Sequence, residues 1–547
     1  MGRKRPPARL ARRRVHRPGR ERSGNSMDRI RAALAAGEVA EAEFLLRARL
    51  AAAPTDLDAI SKLAELAAAQ GKPGDAIVLL SKGLAIAPAA HELRLRLAQF
   101  SAQQGQFAAA LEHLEVLPQP LQCTVEVKLQ RAGLLGQLGR RDEEIAMYHA
   151  LLRQKPRAIR LWISLANALN SSGRASEAVE ALRRAAAIRP SNGEVWWSLA
   201  NLKTHRFEKR DIAAMQRALA RCGDGEDAVH LHFALGSAFE GDADYHRSFD
   251  HYAAGNAIRE QGLQPHQMRV SGFVDSAVAL FDDSIFRKLG GQGCETSAPI
   301  FIVGLQRSGS TLVEQILSSH PQIEGASELL AMQQVWAEVE REAAAKCRTP
   351  FDLVASFGAG IFKRLGEEYL ERTKPFRRLG RPFFIDKLPA NWLNIGLIRL
   401  ALPNAKIIDA RRNPMECGFS NFKQLYATGV TYSYSLQSIG RFYRDYLRLM
   451  RHIDLVQPAA VHRVIHGGLV ADPESEIRRM LDYIGLPFDP ACLNFHQNPR
   501  SVATPSAEQV RRPINSDGCD AWRPYERWLE PLKQALGPAV DHWANGA

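Results

Sequence analysis

Long apolar runs are missing from this 547-residue sequence: nowhere do about eighteen uncharged apolar residues follow one another, so no membrane-spanning helix is expected. Cysteine is sparse. The seven (Cys123, Cys222, Cys294, Cys347, Cys417, Cys492 and Cys519) are scattered, odd in number and never spaced as CxxC, which argues against a disulfide framework or a zinc site. No metal is expected. Excess positive charge is also missing from most of the chain: the net charge is +13, but residues 1–25 hold ten Lys and Arg against the single acid Glu21, leaving only about +4 elsewhere. The basic tail, read as residues 1–26, can touch nucleic acid or anionic lipid, and equally fits a disordered extension or an upstream start with the working protein beginning near Met27. No specific nucleic-acid partner is expected. With no apolar secretory stretch behind the tail, the chain reads as cytoplasmic.

What is present is a period. Gly37, Gly71, Gly105, Gly139 and Gly173 are each 34 residues apart, and Gly241 falls two steps later. Pro54, Pro88, Pro156 and Pro190 keep the same phase, as do Ala42, Ala76, Ala110 and Ala178, and Trp162 with Trp196. The spacing predicts two helices per step: glycine permits the turn between them, small alanines let them approach, and proline ends the second. This resembles the tetratricopeptide repeat over residues 27–262 and implies an all-α solenoid whose concave face suits a protein or extended peptide. A purely structural or dimerising role stays open, as does the oligomeric state. Gln122 replaces one expected proline and Phe207 one expected glycine, so those two steps are either distorted or merely divergent.

After residue 262 the period stops. A helical connector over 263–298, with Val274, Ala277, Val278 and Phe281, leads through Gly290-Gly291 to a second domain over 299–542. There, short apolar runs at 299–304, 382–386, 406–410 and 461–466 alternate with helical patterns, which predicts a parallel sheet covered by helices, an α/β domain. Asp472-Pro473 before Ile477, Met480, Leu481 and Ile484, with Gly485 after, marks the start and stop of one helix. Ligands of such sheets collect at the carboxyl ends of the strands.

Three clusters fall at that edge. The first is Leu305-Gln306-Arg307-Ser308-Gly309-Ser310-Thr311, between the 299–304 strand and a helix carrying Leu312, Val313, Ile316 and Leu317. From Gly304 to Thr311 the spacing follows the nucleotide-binding GxxxxGK[ST] loop, making the domain P-loop-like, except that Ser310 stands where the lysine should be. A helix beginning there leaves its first N–H groups unpaired toward an anion, and Arg307 can fork onto two oxygens. The second is Asp386-Lys387, a lysine directly after a strand. The third is Arg411-Arg412-Asn413-Pro414 with Ser420 on the following helix; an arginine and a hydroxyl so placed can bracket a second phosphate.

Together these clusters resemble the sulfotransferases that use 3′-phosphoadenosine-5′-phosphosulfate (PAPS), and specifically the protein-tyrosine sulfotransferases. The resemblance implies that the PRSGTT-type loop, here Arg307, Ser308, Gly309, Ser310 and Thr311, holds the 5′-phosphosulfate. It implies that Arg412 and Ser420, from an RDxR…S segment in which Asn413 replaces the aspartate, grip the 3′-phosphate. A fourth stretch, Ser506-Ala507-Glu508-Gln509-Val510-Arg511-Arg512-Pro513-Ile514-Asn515, is similar to the family's SSDQVIKPVN segment, which closes over the nucleotide; Ser506, Gln509, Val510, Arg511, Arg512, Pro513 and Asn515 are its cofactor-binding candidates. His466 matches a tyrosine of the family. The family's catalytic glutamate, in a GEET segment, corresponds to Glu328 in Gly325-Ala326-Ser327-Glu328, with Glu324 as rival and His320 read as shaping a turn. Glu328, Lys387 and Arg307 are thus the catalytic candidates.

Departures from the pattern are Ala521 before Trp522, where the family has a lysine that Arg523 could replace, and Gln424, where it has an arginine. The implied reaction moves a sulfuryl group from PAPS to an acceptor hydroxyl, a protein tyrosine presented with help of the repeats being the leading acceptor. A carbohydrate or small metabolite, a P-loop kinase or NTPase, and a repeat scaffold with a decayed transferase remain as alternatives.

Overall fold

The structure is a computed structural model that describes residues 23–202, 205–264, 270–358, 360–427, 429–502, 504 and 506–544. The chain divides into two compact units, residues 1–127 and 128–547. Of the basic tail, residues 1–22 lie outside the described residues, and a helix already runs from Ser23, so Met27 sits inside it.

The first unit consists of helix pairs: Ser23–Ala35 with Val39–Ala52, Leu57–Ala69 with Pro73–Ile86, and His91–Gln103 with Phe107–Glu115. Gly37, Gly71 and Gly105 turn each pair at φ of +74°, +76° and +73°, a backbone region that costs an ordinary residue about 1–2 kcal/mol. Ala42, Ala59 and Ala76 are fully buried where helices meet. At Gln122 the step is distorted: the second helix stops after nine residues, a one-turn helix Gln119–Gln122 follows, and the Gln122 amide donates to the carbonyls of Glu115 and Leu117 at 2.7 Å. The stop itself is still made by a proline, Pro118, shifted from the repeat phase, and the Gln122 amide satisfies two carbonyls of the early break.

The second unit opens with the remaining pairs, among them Val125–Gln137 with Arg141–Gln154 and Ile159–Ser171 with Ala175–Ile188, turned at Gly139 and Gly173. Trp162 and Trp196 share a task as well as a register: each indole N–H donates to the carbonyl of the proline six residues before it, at 2.9 and 2.8 Å. At Phe207 the step is again distorted, Gly193–Asn201 being cut short before Lys209–Cys222. Gly241 is not a turn residue: it ends the helix Glu226–Gly241, and the positive φ falls on Ala243.

These later repeats are packed into the same body as the sheet domain, which is why the compact division falls at 127 and not at 262. Asn256 donates to the carbonyl of Phe422 at 2.9 Å, Ser248 and Tyr525 share a buried hydrogen bond, and Lys423 pairs with Glu240 at 2.5 Å. The connector contributes the helices Ser271–Leu280 and Asp283–Leu289, which bury Val274, Ala277 and Phe286.

The sheet has five parallel strands, β1 (Pro299–Gly304), β2 (Ile323–Gly325), β3 (Phe383–Asp386), β4 (Lys406–Arg411) and β5 (Val461–Ile465), in the order β2-β3-β1-β4-β5. All six residues of central β1 are buried, as helices on both faces require. β2 is only three residues long, too short for its alternation to show in the sequence. The helix Pro473–Ile484 is capped by the Asp472 carboxylate, 3.2 Å from the Ser475 N–H, and stopped by left-handed Gly485. No helix of the described residues is long and apolar enough to cross a membrane.

Candidate active site

β1 ends at Gly304, whose φ of +139° and missing Cβ let the loop pass the carbonyl of Ala410 on β4. The helix Ser310–Leu317 begins after left-handed Gly309, where a Cβ would stand 2.7 Å from the His466 ring. Arg307 lies between them at φ +67°, a conformation an arginine keeps only when its surroundings hold it. They do: its Nε donates to Ser420 Oγ at 3.0 Å, its Nη1 to Ser506 Oγ at 2.9 Å, and its carbonyl accepts from Arg412 Nη1 at 3.4 Å. Burial, with the like charge of Arg412 adding to it, holds the Arg307 guanidinium below its ordinary pKa.

A cavity of about 300 Å³ opens on this loop, lined by Arg307, Gly309, Ser310, Thr311, Arg412 and His466 and, across it, by the 506–518 segment. Its chemistry fits an anionic nucleotide. Among the described residues the buried Ser308 hydroxyl and His466 Nδ1 find no hydrogen-bond partner, and the helix start at Ser310 and Thr311 lines the opening. Burial and then Arg412 push the His466 pKa down to about 4, so its imidazole is neutral near pH 7. Ser506, Gln509, Arg512, Pro513 and Asn515 line the cavity, while Val510 is its apolar floor, packed with Val502 and Ala507 on Leu312.

Arg511 does not come to this cavity. Its side chain turns away to donate from Nη2 to the carbonyls of Ser171 and Arg500, each at 3.2 Å. In the SSDQVIKPVN pattern its position is isoleucine, so the arginine here has no counterpart in the pattern.

Arg411 and Arg412, adjacent in sequence, part company through strand alternation. Arg411 is buried, paired with Asp409 at 2.6 Å and bonded to Tyr446, a structural role; Arg412 faces the loop, held by Glu416 at 2.8 Å. Asn413 caps the next helix, accepting from the Met415 N–H at 2.9 Å as an aspartate would. Ser420 lines a neighbouring cavity of about 400 Å³ that shares Arg307 and Arg412 and is walled by repeat residues such as Trp197 and Arg206. Gln424 and Ala521 line it too, whereas Arg523 pairs with Asp520 at 2.9 Å in solvent and does not stand in for a lysine there.

The second cluster, Asp386-Lys387, lies at the end of β3. Lys387 is 1% exposed and donates to Glu328, whose side chain is 48% exposed. Its Nζ also lies 3.9 Å from buried Glu314, which sits on the loop's own helix and pairs with Arg500 at 2.9 Å. Ser327, at φ +69°, accepts from the Lys387 N–H at 3.0 Å and so fixes the Glu328 segment against the strand. The rival Glu324 is engaged elsewhere: buried, it accepts from the Leu379 N–H at 2.7 Å and pairs with Arg377 at 3.4 Å. His320 accepts from the Gln322 N–H at 3.2 Å within its turn. Glu314 and Arg500 did not emerge from the sequence; the available signal was an acid between Val313 and Ile316 on a helix otherwise expected to pack.

Glu328 and Lys387 open into a cavity of about 1020 Å³, whose far wall is the repeat turn Gly136–Arg141. The pair is a carboxylate beside a fixed cation, an arrangement that can take a proton from an acceptor while neutralising charge on a transferred anionic group.

Residues 299–490 match the model of the sulfotransferase family, and residues 67–122 and 159–202 match tetratricopeptide-repeat models. An uncharacterized protein of Aquifex aeolicus is 28% identical over 310 residues, covering 56% of this chain and 41% of that protein. Protein-tyrosine sulfotransferase A of Caenorhabditis elegans is 23% identical over 245 residues, covering 42% of this chain and 61% of that one. This chain thus spans less than two thirds of either relative. Among solved structures, the sulfotransferase domain of the Synechococcus PCC 7002 olefin synthase has a TM-score of 0.31 at 22% identity, over 42% of this chain and 88% of that one. By the family-model matches, the chain joins tetratricopeptide repeats to a sulfotransferase-family domain in one polypeptide.

Proposed function

We propose that the protein transfers a sulfuryl group from PAPS to an acceptor hydroxyl, and that the acceptor is a protein tyrosine presented with help of the repeats. PAPS supplies an activated sulfuryl group on a leaving phosphate. The observation that carries the reading is the buried Lys387 bonded to half-exposed Glu328 on a cavity of about 1020 Å³, with Lys387 also facing Glu314 on the helix that follows the anion loop.

Each residue then has a task. The Gly309–Thr311 helix start, Arg307 and the Ser308 hydroxyl bind the 5′ anionic groups, and Arg412 with Ser420 binds the 3′-phosphate. His466 and the 506–515 segment enclose the nucleotide. Glu328 accepts the acceptor's proton as its oxygen bonds to sulfur and the bridging bond to phosphate breaks. Lys387 and Arg307 hold positive charge where the leaving phosphate gains negative charge. The phenol of tyrosine, with a pKa near about 10, is acidic enough for a positioned carboxylate to deprotonate during the transfer.

Support for a protein acceptor is the wall that the repeat turn Gly136–Arg141 gives the Glu328 cavity, together with the likeness to a protein-tyrosine sulfotransferase. Incubation with sulfur-labelled PAPS and fractionated lysate tests both levels of the proposal. Label in protein, released as tyrosine sulfate on hydrolysis, is expected. Label only in glycan or small molecules would overturn the acceptor, and consumption of ATP in place of PAPS would overturn the donor.

A further inference from the structure

Among the turn glycines of the repeats, two are different. Gly37 and Gly71 have nothing within 4 Å of where a Cβ would be. Gly139 and Gly173 each receive an arginine from the sheet domain on that bare face: Arg378 against Gly139, and Arg511 against Gly173 with Nε 3.1 Å from the Cβ position. Arg378 also donates to the carbonyl of Gln137, and Arg511 to that of Ser171 at 3.2 Å. The missing side chain here admits a guanidinium, beyond permitting the turn.

Arg511 belongs to a segment that serves both cavities. Residues 499–502 line the Glu328 cavity and residues 508–510 and 512–515 line the nucleotide cavity. That segment is fastened to the repeats at two further points: Arg141 Nε donates to Ser501 Oγ at 3.0 Å, and Ser501 Oγ lies 3.5 Å from the Ser171 carbonyl. From Arg511 the contacts run on to the catalytic pair. Its Nη2 donates to the Arg500 carbonyl at 3.2 Å, the Arg500 guanidinium holds Glu314 at 2.9 Å, and Glu314 faces Lys387 at 3.9 Å.

We infer that Arg511 is a positioning residue, through which the repeat turn Ser171–Gly173 sets the segment that encloses the nucleotide and the buried charges behind Glu328. The repeats are thereby part of the catalytic unit as well as a presenting surface. This rests on the donor site proposed above. Its test is therefore a binding measurement that needs no acceptor: calorimetric titration of the full-length protein with 3′,5′-bisphosphoadenosine, the product nucleotide.

Arg511→Ala is expected to weaken binding by about 3–30-fold, the range of coupling carried by residues that touch no ligand. Arg511→Lys, which can still reach a carbonyl, should recover most of it. Gly173→Ala, whose methyl would enter the Arg511 side chain, should weaken binding similarly, and the double variant should be no worse than the weaker single one, because both break one contact. Gly71→Ala, with the same turn strain and open space around it, should bind as the unaltered protein does; thermal melts on all variants separate loss of fold from loss of contact. Unchanged affinity in Arg511→Ala, or full additivity of Arg511→Ala and Gly173→Ala, overturns the inference. Failure of the unaltered protein to bind the nucleotide instead overturns the donor reading beneath it.

Discussion

Lys387, 1% exposed at the end of β3, donates a hydrogen bond to Glu328, a carboxylate that remains half in solvent. Ion pairing to Glu328 and Glu314 offsets the cost of burying the Lys387 side chain, and Glu328 keeps an exposed face on the cavity. The two residues are 59 apart in sequence and come together because Ser327 and Ala326 hydrogen-bond to the backbone of β3 and its exit.

Glu328→Ala is expected to lower sulfuryl transfer by about 10²–10⁴ while nucleotide binding survives, since among the described residues Glu328 lies outside the lining of the nucleotide cavity. Turnover of labelled PAPS together with product-nucleotide calorimetry checks this. Normal turnover would remove Glu328 as the base.

Lys387→Met keeps the buried stem and deletes the charge. Transfer should fall by about 10²–10³. Thermal stability should fall less than in Lys387→Ala, because the methionine fills the space and Glu314 keeps its 2.9 Å pair with Arg500.

Asp386, fully buried with one oxygen accepting from Tyr369 at 3.0 Å, has its pKa pushed up to about 8 by burial. The folded state therefore holds this proton over a range in which the unfolded state has released it. Stability from this group is full below the ordinary carboxylate range and declines as pH rises through about 8. Asp386→Asn should flatten that decline in melting temperature measured between about pH 4 and pH 9.

Gly309→Ala places a methyl 2.7 Å from the His466 ring at a φ of +98°. Strain of about 1–2 kcal/mol at the loop should weaken product-nucleotide binding by about 5–30-fold. Equal affinity would mean that the helix start does not bear on the nucleotide.

Much of this molecule is written locally. The 34-residue step shows because glycine, alanine and proline answer to backbone geometry within one helix pair, and four strands show because strands covered by helices carry short apolar runs, even where Asp409 in β4 or His462 in β5 interrupts them. Even the distorted steps at Gln122 and Phe207 announce themselves by the residue that is missing. Gly241 misled in the same way: it keeps the register, yet its helix runs on, and Ala243 takes the turn.

What depends on which side chains meet across the fold is different. Glu324 and Glu328 are four residues apart, alike as carboxylates, and both border the same cavity; only the packing buries one under Arg377 and leaves the other half exposed beside Lys387. Nothing in the order of residues says that Arg511 leaves its neighbours to seat against Gly173, or that Glu314 and Arg500 stand behind Lys387. The sequence by itself determined the repeats, the sheet and the anion loop, because each rests on short-range backbone preferences and periodic burial. The tertiary structure decided which carboxylate stays exposed beside Lys387 and that the later repeats share one body with the site, because those are matters of contact between segments far apart in the chain.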